Sequence, residues 1–225
     1  MKIFIQLMIF FLPWPARRAV LQALFGFELH KTSRIGYSII LARKLVLDEY
    51  ARIGSFNLCK SIDYMRLGKY SNIGNFNYIT GFSVEHPAVK QHQHFSANLN
   101  RKCEFIVGSH TGITSRHYFD CNGGIYIGSF SQVAGLNSVF MTHGIDLRMN
   151  RQDARPIIIG DYCFVSSSCT ILKDCRISDK VTIGACSLVN RSLIESNAMY
   201  AGIPARLKLV NVNYNFYTRK EGFVK

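Results

Sequence analysis

The residues with the most chemical potential lie around His143. This histidine opens the tract Gly144 to Pro156, GIDLRMNRQDARP. An imidazole titrates near neutral pH and can take a proton from a hydroxyl as that hydroxyl attacks an electrophile. Such a base needs a carboxylate to hold its tautomer. Asp146 is near enough in sequence to do this, and Asp120 begins a turn from which it could approach; either could instead be a solvated loop charge. His117 and Asn137 form a second pair. Both stand four positions past an aliphatic residue, Ile113 and Val133, which predicts the carboxamide above the imidazole, as a site edge or a polar ladder within a wall. The seven cysteines are odd in number and include no Cys-x-x-Cys pair. A disulfide framework and a structural zinc site are therefore disfavoured, and Cys163, Cys169 and Cys175 read as small wall residues.

What must position these groups is a repeat. Ile-Gly recurs at 35, 53, 73, 127, 159 and 183, with spacings of 18, 54 and 24 between 35 and 53, 73 and 127, and 159 and 183. All three are multiples of six. Aliphatic residues keep the same phase, as in Ile35, Leu41, Leu47 and Ile53, in Ile127, Val133 and Val139, and from Ile159 through Val165, Ile171, Ile177 and Ile183 to Val189. A period of six is neither helical nor simple strand alternation. It describes a short strand and a turn, stacked so that each coil covers the apolar row of the last. Gly, Asn, Asp and Ser are expected at the tight corners. Residues 85 to 104 and 144 to 156 interrupt the phase, and such excursions commonly carry function.

Three segments follow: 1–32, an apolar and amphipathic start; 33–209, the repeat domain; and 210–225, a basic, aromatic tail. In the first, Ile3 to Leu12 is apolar, and Val20, Leu21, Leu24 and Phe25 line one face of a short helix. The run is too short to span a bilayer, and no small-residue cleavage site follows it. Residues 1–28 therefore cap the core or lie on a membrane surface. The chain carries 27 Lys and Arg against 14 Asp and Glu, a net charge of +13. That excess attracts phosphates or anionic headgroups, but no nucleic-acid-binding motif accompanies it, so nucleic acid is not an expected partner.

The I-G-x4 hexads, the segment Met141-Thr142-His143-Gly144-Ile145-Asp146 before a loop, IIIGDYCFVSSSCTILKDC, VTIGACSLV and the closing AGIPARL together resemble the hexapeptide-repeat acyltransferases, including polysaccharide O-acetyltransferases. The similarity covers roughly 33 to 209; the family's usual V-W-I-G reads Cys163-Phe164-Val165-Ser166 here. The resemblance implies an all-β fold, a left-handed parallel β-helix with a short N-terminal helix and loop excursions, assembled as a homotrimer. It implies transfer from acetyl-CoA directly to a sugar or glycan hydroxyl in surface-polysaccharide biosynthesis, with the family's histidine base falling on His143 and no metal. Asp146, Asp120, His117 and Asn137 are the further candidates around it. For the donor, Ser166, Ser167, Ala185 and Gly202 would let a pantetheine arm lie against the backbone, and Arg206 and Lys208 would meet its phosphates. Donor supply places the reaction in the cytoplasm, and on the inner membrane face with a lipid-linked acceptor if residues 1–28 touch lipid. The alternatives are N-acetyl transfer to an amino sugar and a non-catalytic scaffold at the membrane surface. A metal-dependent hydratase on the same scaffold would need His110, His117 and His143, or the pair His92 and His94, to converge on an ion.

Overall fold

The computed structural model describes residues 2–87, 89, 94–95, 98, 100–222 and 224. The chain winds as a left-handed parallel β-helix with three walls. The first wall stacks seven strands, from Glu28–Leu29 through Lys44–Leu47, Tyr64–Leu67, Glu104–Val107, Ile125–Ile127 and Ile157–Ile159 to Arg176–Ile177. The second runs from Arg34–Ile35 to Ala198–Ala201, where Arg206–Leu209 closes it as an antiparallel edge. The third runs from Ile39–Leu41 through Tyr118–Asp120 and Val139–Met141 to Leu188–Val189.

The period of six reappears as rows of buried side chains. In the second wall Ile35, Ile53, Ile73, Ile113, Val133, Val165 and Ile183 lie in register and buried. The third wall keeps the expected phase at Ile79, Phe119, Ile171 and Val189 and departs from it in two coils, where Ile40 and Phe140 point inward and Leu41 and Val139 face out. From Ile35 to Ile40 the coil is one residue short, and from Val133 to Phe140 it is one long. In the long coil the corner between second and third walls takes up the extra residue through two left-handed positions, Gly135 at φ 68 and Asn137 at φ 62.

The corner between first and second walls carries the expected small and polar residues directly after its aliphatic row, as in Gly68, Gly108-Ser109, Gly128-Ser129 and Gly160-Asp161. Its left-handed positions include Tyr50, Tyr70, His110, Phe130 and Tyr162, with φ of 54 to 57. Each such conformation costs about 1–2 kcal/mol for a residue with a Cβ. The rings stack face to face up the corner, at centroid distances of 4.8, 5.1, 4.7 and 4.9 Å, and each pair returns about 0.5–1.5 kcal/mol beyond its burial.

Both ends of the repeat are dressed. Helices α1 (Lys2–Met8) and α2 (Trp14–Phe25) sit on the first coil. The buried Gln6 carboxamide donates to Ile40 O at 2.6 Å and accepts from Ile40 N at 2.8 Å, while Arg17 donates to Gly36 O at 2.8 Å. Ile9, Leu21 and Phe25 join the core, so the segment does cap the domain. Among the described residues no helix is long and apolar enough to cross a membrane. The C-terminal tail returns along the second wall, where Tyr217 Oη meets Thr182 Oγ1 at 2.8 Å and Arg219 hydrogen-bonds to Phe130 O.

The two predicted excursions leave the same corner, between third and first walls. One spans residues 81 to 103. The other is a hairpin of His143–Asp146 against Arg151–Ala154, so His143 is its first residue. The loops meet where Ala154 N donates to Asn98 Oδ1 at 2.9 Å.

Candidate active site

The third wall pairs Asp120 with Met141, which carries the Asp120 carboxylate under the residues that begin the hairpin. Asp120 is fully buried. Its Oδ2 lies 2.5 Å from His143 Nδ1 and accepts the backbone N–H groups of Thr142 and His143, each at 3.1 Å. Its Oδ1 accepts from Asn122 N at 3.2 Å and Nδ2 at 2.5 Å. A carboxylate can only accept, so the Nδ1 proton of His143 points at Asp120. Asn122 Nδ2 also stands 3.1 Å from His143 Nδ1, but a nitrogen already bearing a proton offers it no acceptor, and that approach is a packing contact. This tautomer leaves the lone pair on Nε2, which has no protein partner among the described residues. The His143 side chain is 33% exposed, against 1% for Asp120.

The hydrogen bond to Asp120 raises the pKa of His143; burial and the charges of Lys173 and Arg101 oppose it, and the attraction of Asp120 reinforces it. Lys173 is tied to Asp153 at 2.5 Å. Arg101 lies over the Phe95 ring at 4.4 Å and donates to Asn122 O at 3.1 Å, while its second terminal nitrogen is buried with no partner among the described residues. Phe95 in turn presents an edge-on contact to His143 at 6.2 Å. The imidazole thus has a carboxylate behind it, an aromatic beside it and two cations nearby. Such an arrangement can accept a proton at Nε2 and stabilise the resulting imidazolium.

The other predicted residues divide. Asp146 is not brought to the imidazole. It lies three residues further along its strand, about 10 Å at the usual rise, and its Oδ1 accepts from Arg148 N and Met149 N at 3.0 and 3.1 Å to hold the hairpin's turn. His117 belongs to the wall: Nδ1 accepts from Ser138 N at 3.1 Å and Nε2 meets Thr114 Oγ1 at 2.9 Å. Burial lowers its pKa to about 4. Asn137 is not above it. The extra residue in that coil places Ser138 there, and Asn137 turns outward at the exposed corner, donating its backbone N–H to Arg116 O at 3.1 Å. Ser166, Ser167, Ala185 and Gly202 fall at the corner between second and third walls on successive late coils, the far end of the third wall from His143. Their small side chains leave that backbone accessible: a methyl added at Gly202 would meet only Pro204 O, at 3.5 Å. Arg206 and Lys208 on the closing edge strand are exposed.

Asn122, Arg101, Phe95 and Lys173 were not anticipated. Asn122 alone had a signal, the D-C-N turn that begins at Asp120; the others arrive through folding of distant segments. His110, His117 and His143 stand at different corners, His110 stacked between Tyr70 and Phe130, and among the described residues no group of three metal-ligating side chains converges. His92 lies outside the described residues. A concavity of about 910 Å³ lies on the second wall between Tyr50, Tyr70 and the tail, away from His143. Geometry and chemistry, rather than cavity size, single out the His143 corner.

The fold is that of the hexapeptide-repeat β-helices. A polysialic acid O-acetyltransferase superposes with a TM-score of 0.53 at 17% identity, over 84% of this chain and 86% of that one. LpxA from Acinetobacter baumannii gives 0.54 at 16% identity, over 82% and 70%. A hexapeptide-repeat acetyltransferase from Vibrio cholerae gives 0.46 at 17%, over 94% and 89%. No protein-family model matches the chain, and no curated protein matches it by sequence. At these identities the likeness is one of fold.

Proposed function

We propose that this protein is an acetyl-CoA-dependent O-acetyltransferase that modifies a sugar or glycan hydroxyl in surface-polysaccharide biosynthesis, working in the cytoplasm as a homotrimer. The observation that carries the reading is the His143–Asp120 pair, which leaves the Nε2 lone pair without a partner among the described residues. In this mechanism Nε2 takes the hydroxyl proton as the acceptor oxygen attacks the thioester carbonyl carbon. Asp120 steadies the imidazolium, and collapse of the tetrahedral intermediate breaks the C–S bond. The departing sulfur receives the proton from Nε2, giving an acetyl ester and the free thiol. In this reading transfer is direct, with no acyl-enzyme; the buried thiols Cys59, Cys103, Cys121 and Cys163 are pushed up by desolvation, away from the nucleophilic thiolate. Ser166, Ser167, Ala185 and Gly202 would lie along the pantetheine arm, with Arg206 and Lys208 at the phosphates. The choice of a glycan acceptor follows the polysialic acid O-acetyltransferase of like fold. Thiol release from acetyl-CoA across a panel of sugars and oligosaccharides tests the reading. Acceptor-dependent release that collapses in His143→Ala is expected; release unchanged by the substitution removes the base from the mechanism.

A further inference from the structure

The N-terminal segment has two faces, and the core uses only one. Gln6, Ile9, Arg17, Leu21 and Phe25 point into the first coil. The space left between them and the coil is about 10 Å³, no more than one water, so the helices pack closely on it. Phe4, Met8 and Phe11 are 73%, 71% and 90% exposed, as are Leu7 of α1 and Leu24 of α2 at 41% and 62%. Phe4 and Met8 stand one turn apart on α1, and Phe11 ends the 3-10 turn Ile9–Phe11, whose three-residue period brings it onto the face of Met8, so the three form one stripe. Capping explains the inner face and leaves this outer one without a purpose.

The charges around the stripe indicate its partner. No Asp or Glu occurs in residues 1–27, and the first carboxylate, Glu28, is paired with Lys44 at 2.9 Å. Arg17 is committed to Gly36 O, whereas Lys2 and Arg18 have no carboxylate partner among the described residues. A second copy docking through the same face would set these cations against themselves. An anionic bilayer would neutralise them while its acyl region takes the apolar stripe.

We propose that the outer face of α1 and α2 docks the protein onto an anionic membrane surface, with the β-helix held off the bilayer by the same helices that cap it. The binding does not depend on the catalytic reading, so either can fail alone.

The test is co-sedimentation of the full-length chain with vesicles of phosphatidylcholine and of phosphatidylcholine mixed with phosphatidylglycerol. Wild type should pellet with the mixed vesicles and about tenfold less with the neutral ones. The Phe4→Ser/Phe11→Ser variant, which removes two exposed rings and no buried contact, should lose about tenfold or more of that partition at an unchanged melting temperature. Should that variant fail to fold, Lys2→Glu/Arg18→Glu provides the second arm and should abolish the preference for anionic vesicles. Wild type remaining in the supernatant, or variants that pellet like wild type, would overturn the proposal. So would concentration-dependent self-association without vesicles that the double-Ser variant abolishes, which would assign the face to a second copy.

Discussion

Two histidines occupy two corners of one β-helix, and the loops around them make them different groups. His117 stands in an unbroken ladder between second and third walls. Its neighbours are Asn77, which accepts its backbone N–H at 2.9 Å, and Ser138. Both ring nitrogens are used, water is excluded, and the neutral form wins. His143 stands where the coil opens into a hairpin. Asp120 takes one nitrogen, nothing takes the other, and the charged form is favoured. The same side chain is thus a structural rung at a tight corner and a half-exposed imidazole with a free Nε2 at an open one, because the ladder uses both ring nitrogens of His117 while the excursion leaves Nε2 of His143 without a partner among the described residues.

The sharpest way to break this contrast is His143→Ala, which should lower acetyl transfer by about a thousandfold with the melting temperature unchanged. An equal loss from His117→Asn, measured per folded molecule, would erase the distinction. The next effect is on stability against pH. The folded-state pKa of His117, about 4, lies below its unfolded value of 6.5, so the unfolded chain binds the extra proton. The stability that neutral His117 contributes is present above 6.5 and is lost as pH falls through 4, amounting to about 3 kcal/mol. Urea midpoints should decline over that window and flatten in His117→Asn, since Asn57 and Asn77 already fill the rungs below. His143 runs the other way. Its raised pKa contributes stability that is present below the unfolded value and lost as pH rises through the folded one.

Asp120→Asn should cost about a hundredfold in turnover by releasing the tautomer. It also removes the hydrogen bond that raises the His143 pKa, so the acid limb of the rate profile should move to lower pH; an unmoved limb would separate Asp120 from the titrating base. The smallest expected effect is that of Asp146→Ala. Losing two bonds to the hairpin's turn should change the rate by less than about threefold and stability by about 1 kcal/mol.

The walls were legible because burial repeats with the geometry of the coil. Ile35, Ile53, Ile73 and Ile183 face inward for the reason their spacing implied, and the two excursions announced themselves by breaking phase. His143 was legible as the residue at a break. Its carboxylate was not. Asp146 is nearer in sequence, but a strand carries it away while stacking brings Asp120 from 23 residues back to 2.5 Å. Asn137 failed for a related reason: counting by six assumes every corner has one length, and this corner holds an extra residue.

The amino-acid sequence by itself determined the period, the inward rows of the first and second walls, most of the third, and the places where the coil opens, since these depend on residues within one turn of each other. Only the tertiary structure decided which carboxylate faces His143, that Asn122, Arg101, Phe95 and Lys173 surround it, and that the N-terminal helices cap the core while exposing a second apolar face. Those relations are set by coil stacking and by the exact number of residues at each corner, and a shift of one residue there turns a side chain from one face of a wall to the other.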